Sequence, residues 1–247
     1  MLSALNRWRN ELLGREEAAC SVPIFDGALK PNHLLEEAEV FYQAQDARDL
    51  CTDGKTLWLA DGKDVLALKP SGGFQLLFSA EQEITALCTF AGGLAYAVGG
   101  SKVKVHGGDF HGRNWSQVDG HELKHINALS ADHDGLVATQ GSQIFSGDQW
   151  QHDLMRHGKT GQVVHLSVRD GAVKTKSSNL AYAFGALKVN EALWVSESWA
   201  HRVVALDANG HRQDVMAQLP GYPSRLSSCS LGGAWVSVFA CRTQLVE

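Results

Sequence analysis

The sequence predicts an all-β fold, a β-propeller preceded by a short amphipathic helix, and three observations predict it. One segment pattern recurs along the chain: a short strand, a turn carrying Gly or Asn, then a second strand with a bulky or apolar centre. It is seen in "ARDLCTDGKTLWLADGKDVLAL", "EITALCTFAGGLAYAVGGSKVKV", "HINALSADHDGLVATQGSQIF" and "AFGALKVNEALWVSESWAHRVVAL", and it begins again in "GYPSRLSSCSLGGAWVSVFA". Trp58, Ala95, Val137, Trp194 and Trp235 hold the same place in these units, about 37 to about 57 residues apart, near the ~40–50 residues of a propeller blade. The stretches between them read as hairpins, because Asp-Gly and Asn-Gly between alternating runs favour tight turns with positive φ.

Taken in order, residues 1–21 read as a helix and linker, with Leu2, Leu5, Trp8, Leu12 and Leu13 at helical spacing. Arg7, Arg9 and Glu11 interrupt the apolar run that a signal peptide needs. The propeller takes residues 22–247, in units at about 37–80, 83–118, 125–178, 182–218 and, in part, 222–247. Each repeated segment supplies the inner two strands of a blade, with residues 84–90 and 126–131 as equivalent innermost strands. The outer pairs are hairpins turning at Ser71-Gly72-Gly73, Asp170-Gly171 and Asn209-Gly210. "EAEVFYQAQ", residues 37–45, alternates at Val40 and Tyr42 and reads as a ring-closing strand, whose partners would follow Glu247. The expectation is about four and a half blades in an open arc, part of a longer product or self-associating through unpaired edges.

Composition narrows the function. Lys and Arg number 22 against 27 Asp and Glu, a net charge of -5 with no basic block, so nucleic acid is not the expected partner. Apolar runs such as "DVLALKP" are too short to cross a bilayer. The five cysteines (Cys20, Cys51, Cys88, Cys229 and Cys241) form no C-x-x-C, which fits a reducing, cytoplasmic compartment. No G-x-S-x-G, P-loop or dinucleotide fingerprint is present. His121-Glu122-Leu123-Lys124-His125 does match H-E-x-x-H, which holds zinc only on a helix. The repeat register puts His125 at a strand start and His121 in the loop before it, so the pair is expected to be solvated.

The C-terminal part resembles the strictosidine synthase-like family. The residues that carry the likeness are "LPGYP" (219–223), "GGAWVSV" (232–238) and "VSESWAHRV" (195–203), with "FDGALKPNHLLEEAE" similar to the start of bacterial members. The resemblance implies a six-bladed propeller related to gluconolactonases and regucalcin, with ligands at the mouth of the central channel. Related lactonases hold a metal there through a Glu, an Asn and an Asp. The matching positions here are Arg48 in Ala47-Arg48-Asp49, Phe184 in Phe184-Gly185, and Ser224 in Pro223-Ser224-Arg225. A cation, a ring and a hydroxyl do not make an oxygen cage for calcium. No residue matches the catalytic glutamate of strictosidine synthase.

The repeat marks the same ring independently. Arg48, Thr85, Asn127 and Phe184 each stand ten residues before the second-strand marker, and Ser224 stands eleven before Trp235. This set suits a small organic molecule with a polar or anionic group, held without metal or cofactor. Tyr222 is a further candidate wall. Glu197, with His201 nearby, reads either as an acid or base or as a structural partner of Arg202 or a backbone amide. Trp58, Trp194 and Trp235 are expected in the core. The function read from this pattern is metal-independent binding or lactonase-like hydrolysis of a small organic substrate. The alternative is a non-catalytic scaffold for protein interaction.

Overall fold

The computed structural model describes residues 33–230 and 232–242. Four four-stranded antiparallel meanders follow one another along the chain. The first is β1 (Ala47–Thr52), β2 (Leu57–Asp61), β3 (Asp64–Leu68) and β4 (Phe74–Ser79). The second is β5 (Ile84–Phe90), β6 (Gly93–Val98), β7 (Lys102–Gly107) and β8 (Asn114–Trp115). A two-stranded ribbon, β9 (Gln117–Val118) with β10 (His121–Glu122), leads into the third sheet. That sheet is β11 (Ile126–Asp132), β12 (Gly135–Gln140), β13 (Gly161–Ser167) and β14 (Val173–Leu180). The fourth is β15 (Ala183–Val189), β16 (Ala192–Glu197), β17 (Arg202–Leu206) and β18 (Arg212–Met216). A two-stranded sheet of β19 (Gly221–Ser228) and β20 (Ala234–Cys241) follows.

Strand alternation explains why these sheets stack. In β3, Val65 and Ala67 are buried while their neighbours are half-buried, and the inner strands β5 and β6 are buried on both faces. The apolar residues collect between successive sheets. Val65, Ile84, Leu94 and Val98 pack between the first and second sheets. Leu136 and Leu166 pack with Val103 and Trp115 between the second and third. Val163, Leu180, Val195 and Val204 pack between the third and fourth. Each such side chain contributes about 1.5–3 kcal/mol on burial. The turns follow their glycines: Gly171 and Gly210 lie at φ +74 and +81, where a side chain would be strained.

Two expectations change. Residues 37–45 form no strand; Phe41 and Tyr42 instead lay their rings on Phe74 at the start of β4, with centroids 6.4 and 4.7 Å away. Aromatic packing thus replaces backbone pairing there. Trp235 is 67% exposed rather than core, because it stands on β20 and no sheet among the described residues stacks beyond that strand. Trp58 does pack at the edge of a core cluster. The amphipathic segment 1–21, with Cys20, lies outside the described residues.

Leu166 is fully buried in the cluster between the second and third sheets. Leu166→Ala is expected to cost about 2–5 kcal/mol, read as a lowered midpoint in chemical denaturation with unchanged sheet content by circular dichroism.

Candidate functional site

The inner strands carry a repeated irregularity. Pairing slips by one residue between Ala47 and Asp49, between Ile84 and Ala86, and between Ile126 and Ala128. It slips again between Ala183 and Ala186 and between Pro223 and Leu226. Arg48, Thr85, Asn127, Phe184 and Ser224 all fall inside these bulges. A bulge leaves one residue out of the ladder and re-aims its side chain. Four of the five ring residues, Arg48, Thr85, Asn127 and Phe184, line one cavity of about 1010 Å³. It opens at the end of the sheets where the inner strands begin.

The fifth unit departs from the expectation. Trp58, Ala95, Val137 and Trp194 pair with the residue seven positions earlier, whereas Trp235 pairs with Ser227, eight earlier. That offset keeps Ser224 at the ring position, but Ser224 and Arg225 share one bulge between the Pro223–Val238 and Leu226–Val236 pairs, and it is Arg225 that lines the cavity. Ser224 is buried, and its hydroxyl bonds the Ser237 hydroxyl at 2.9 Å. Tyr222 is also outside the cavity lining, packed against His201, Trp199 and Phe239.

Glu197 is not among the residues that line the cavity. Its carboxylate accepts the Ala181 amide at 2.8 Å and pairs with Arg202 Nη2 at 2.6 Å, in a residue 1% exposed. Residues at the same place in the repeat do the same work. Asp61 accepts the Asp46 amide at 2.5 Å, and Gln140 accepts the Lys124 amide at 2.6 Å. Each clamps the backbone leading into an innermost strand.

Two cations of the mouth, Arg48 and Arg225, are already paired. Arg48 Nη2 meets Asp46 and Glu83 at 2.8 and 2.9 Å on the rim. Arg225 reaches across the channel from β19: Nη1 lies 3.0 Å from Asp49 Oδ2, and Nη2 donates to the Thr85 carbonyl at 3.0 Å. Its guanidinium also sits over the Phe184 ring at 5.7 Å. Asp49 accepts the Leu87 amide at 2.6 Å. Burial nonetheless pushes its carboxyl above the ordinary range, against the pull of Arg225 and the backbone amides.

The third repeat interval is the long one because residues 141–160, between β12 and β13, form an insert at the mouth. The connections at the same place elsewhere are residues 62–63, 99–101 and 198–201. The insert holds the short helix α1 (Trp150–Met155). Buried Asp153 anchors it, accepting hydrogen bonds from Ser142 Oγ and Trp199 Nε1, both at 2.8 Å. Ile144, Ser146, Asp148 and Trp150 thereby line the cavity.

His125 is not the solvated histidine expected. It is 6% exposed, lines the cavity, and bonds Tyr182 Oη through Nε2 at 2.9 Å. His121 and Glu122 lie on β10 and are exposed, so no helix brings the H-E-x-x-H residues to one metal. Among the described residues no three His, Cys, Asp or Glu side chains are grouped to hold a metal ion. The donor set of the ring, with guanidinium and phenyl at two of the lactonase ligand positions, does not fit calcium.

No protein-family profile matches the chain. Its architecture is that of a β-propeller. A protein assigned to the gluconolactonases superposes with a TM-score of 0.57 at 16% identity, covering 74% of this chain and 67% of that one. A streptogramin B lyase superposes at 0.57 with 14% identity over 80% and 63%. A luciferin-regenerating enzyme does so at 0.55 with 18% identity over 79% and 70%. Likeness at this identity establishes the all-β propeller fold. In sequence, the adipocyte plasma membrane-associated protein of Salmo salar is 26% identical over 133 residues, which is 51% of this chain and 32% of that protein. The matched region thus spans about a third of that relative. No helix among the described residues is long and apolar enough to cross a membrane.

Removing the Arg225 side chain leaves Asp49 buried without its counter-charge. Arg225→Met is expected to cost about 3 kcal/mol, and adding Asp49→Asn should recover part of that loss. Burial has already raised the Asp49 pKa, and the loss of Arg225 raises it further. Protonation then favours the folded state, so the single variant should gain stability relative to the parent as pH falls through the raised pKa towards the unfolded carboxylate value of about 3.9. Denaturant melts of both variants at several pH values check the sign.

Proposed function

We propose that this chain is a propeller protein whose mouth cavity binds a small organic molecule and acts on it without metal or cofactor, as a lactone or ester hydrolase does. The observation that carries the reading is the repeated bulge, which directs Arg48, Thr85, Asn127 and Phe184 into one cavity beside Arg225 and Tyr182. Thr85 Oγ1 supports it further: it is buried on this wall with no hydrogen-bond partner. Such an atom costs about 1–3 kcal/mol unless a ligand or water meets it. Phe184, Tyr182 and Trp150 offer flat apolar faces, so the favoured molecule carries a carbonyl or hydroxyl on a ring. The strictosidine synthase-like resemblance and the gluconolactonase neighbour accord with a mouth-bound substrate. The free state of Cys51, Cys88, Cys229 and Cys241 accords with a cytoplasmic setting.

The test is a panel of lactones and aryl esters assayed with and without a chelator. Turnover is expected to be unchanged by chelation, and calcium titration by calorimetry should give no micromolar binding. Thr85→Val removes the hydroxyl without disturbing any protein hydrogen bond, and should weaken substrate binding about tenfold. Micromolar calcium binding with thermal stabilisation would sink the metal-free reading. Unchanged affinity in Thr85→Val would remove Thr85 from the site.

A second reading, a scaffold for protein association, draws support from β20. Trp235, Val238 and Phe239 on it are 67%, 44% and 44% exposed, and an edge strand of that kind pairs readily with another chain. Light scattering at several concentrations should then show mass rising above 26.8 kDa; a concentration-independent monomer would contradict self-association.

A further inference from the structure

We propose that His125 and Tyr182 form a proton-transfer pair in the mouth cavity, with His125 as the base and the Tyr182 hydroxyl as the group that meets the substrate. The proposal rests on the cavity being a small-molecule site, and it assigns the chemistry there to general-base attack on a carbonyl.

Hydrogen bonding fixes the tautomer. His125 Nδ1 lies 3.1 Å from the Phe145 carbonyl, and a carbonyl only accepts, so Nδ1 carries the proton. Nε2 then presents its lone pair to Tyr182 Oη at 2.9 Å, and the phenol donates. The rings meet edge to face at 5.1 Å. On its other side Tyr182 packs against Trp199 at 4.1 Å, and Trp199 is itself held by Asp153. Both residues line the cavity, and both are nearly buried.

The backbone is strained at both positions. His125 and Tyr182 immediately precede β11 and β15 with φ of +48 and +59, a conformation uncommon for side chains of this size. Asp46 and Glu83, at the same place in the first two sheets, are not among the positive-φ residues, so the repeat does not demand it. Strain of this kind, held by surrounding packing, concentrates at working sites.

The charged groups that act on the imidazole are Asp148 and Asp153, and each would help it hold a proton. Burial outweighs them and keeps its pKa below the ordinary histidine value, which makes it a neutral base at pH 7. Burial also pushes the Tyr182 phenol far above its ordinary range, so it gives up its proton only as Nε2 receives it. In hydrolysis, water gives a proton to Tyr182 Oη while Oη passes its own to His125 Nε2. The water oxygen bonds the carbonyl carbon, the ester C–O bond breaks, and the leaving alkoxide takes the proton back from the imidazolium.

The pair can be tested without the natural substrate, using phenylmethanesulfonyl fluoride. Tyr182 Oη would bond sulfur, the S–F bond would break, fluoride would leave and His125 would take the proton. Peptide mass spectrometry should find Tyr182 sulfonylated at least tenfold faster than exposed Tyr42, with the rate levelling off below pH ~6.5, the ordinary histidine value. His125→Gln should slow Tyr182 labelling at least tenfold. Nitrogen-15 histidine NMR of the unaltered protein at pH 7 should show a neutral Nδ1–H imidazole, which decides the matter if that variant does not fold. Labelling of Tyr42 as fast as Tyr182, a rate still climbing near pH ~10, an unaffected variant, or an Nε2–H tautomer would each overturn the pair. Labelled Tyr182 with a silent ester panel would support the pair and reject the hydrolase reading; turnover without labelling would do the reverse.

Discussion

A bulge in an innermost strand frees a backbone amide and carbonyl in a place where water cannot reach them, and an unmet group there costs about 1–3 kcal/mol. The fold meets this cost across the sheets. Thr139 Oγ1 accepts the Ala128 amide of its own sheet and donates to the Phe184 carbonyl of the next. Ser196 Oγ repeats the arrangement, taking the Gly185 amide at 2.7 Å and giving its proton to the Ser224 carbonyl at 2.6 Å. Between the first two sheets the Asp49 carboxylate takes the Leu87 amide instead. The irregularity that aims the ring side chains at the mouth is thus the same one that fastens the first sheet to the second, the third to the fourth and the fourth to the last. Site geometry and sheet order are one constraint.

Arg225 extends that constraint across the channel. It starts on the last described sheet and ends on the first two, so one side chain spans the whole arc. Its ion pair contributes little net stability by itself, because desolvating Asp49 offsets the Coulomb gain. Its consequence is positional. The guanidinium lies on the cavity wall over one face of Phe184, between the residues of the first two sheets and those of the fourth.

The repeat was legible because its causes are local. Period-2 alternation, Gly turns and marker spacing are short-range signals, and they located the sheets to within a few residues, including the hairpins at Gly171 and Gly210. Ring positions followed from spacing alone in four units. The fifth failed because Ser224 and Arg225 share one bulge, and spacing does not say which of the two side chains enters the cavity: Ser224 turns to Ser237 and Arg225 enters. The interval of 57 residues before Trp194 is lengthened by the insert at 141–160, which the repeat pattern alone does not describe. Nothing in it signalled that Asp153 would tie the insert to Trp199, a contact 46 residues apart. His125 was misjudged for a similar reason: its burial comes from Phe145 and Tyr182, which only the tertiary fold brings to it.

The asymmetry of the mouth follows from these long-range contacts. The first two sheets contribute a polar rim, where Arg48 pairs with exposed carboxylates of slight energetic weight. The fourth and the last contribute a packed aromatic wall, running from Tyr182 on the cavity lining through Trp199 to Tyr222 and Phe239 behind it, with centroids 4.1 to 6.2 Å apart. Side chains locked in such a wall lose little entropy when a ligand binds, whereas the rim side chains must be ordered each time. Preorganisation therefore belongs to the wall, and the strained, buried histidine and tyrosine lie there. A ring of five near-equivalent positions becomes a site with a front and a back only because the insert and Arg225 break its symmetry.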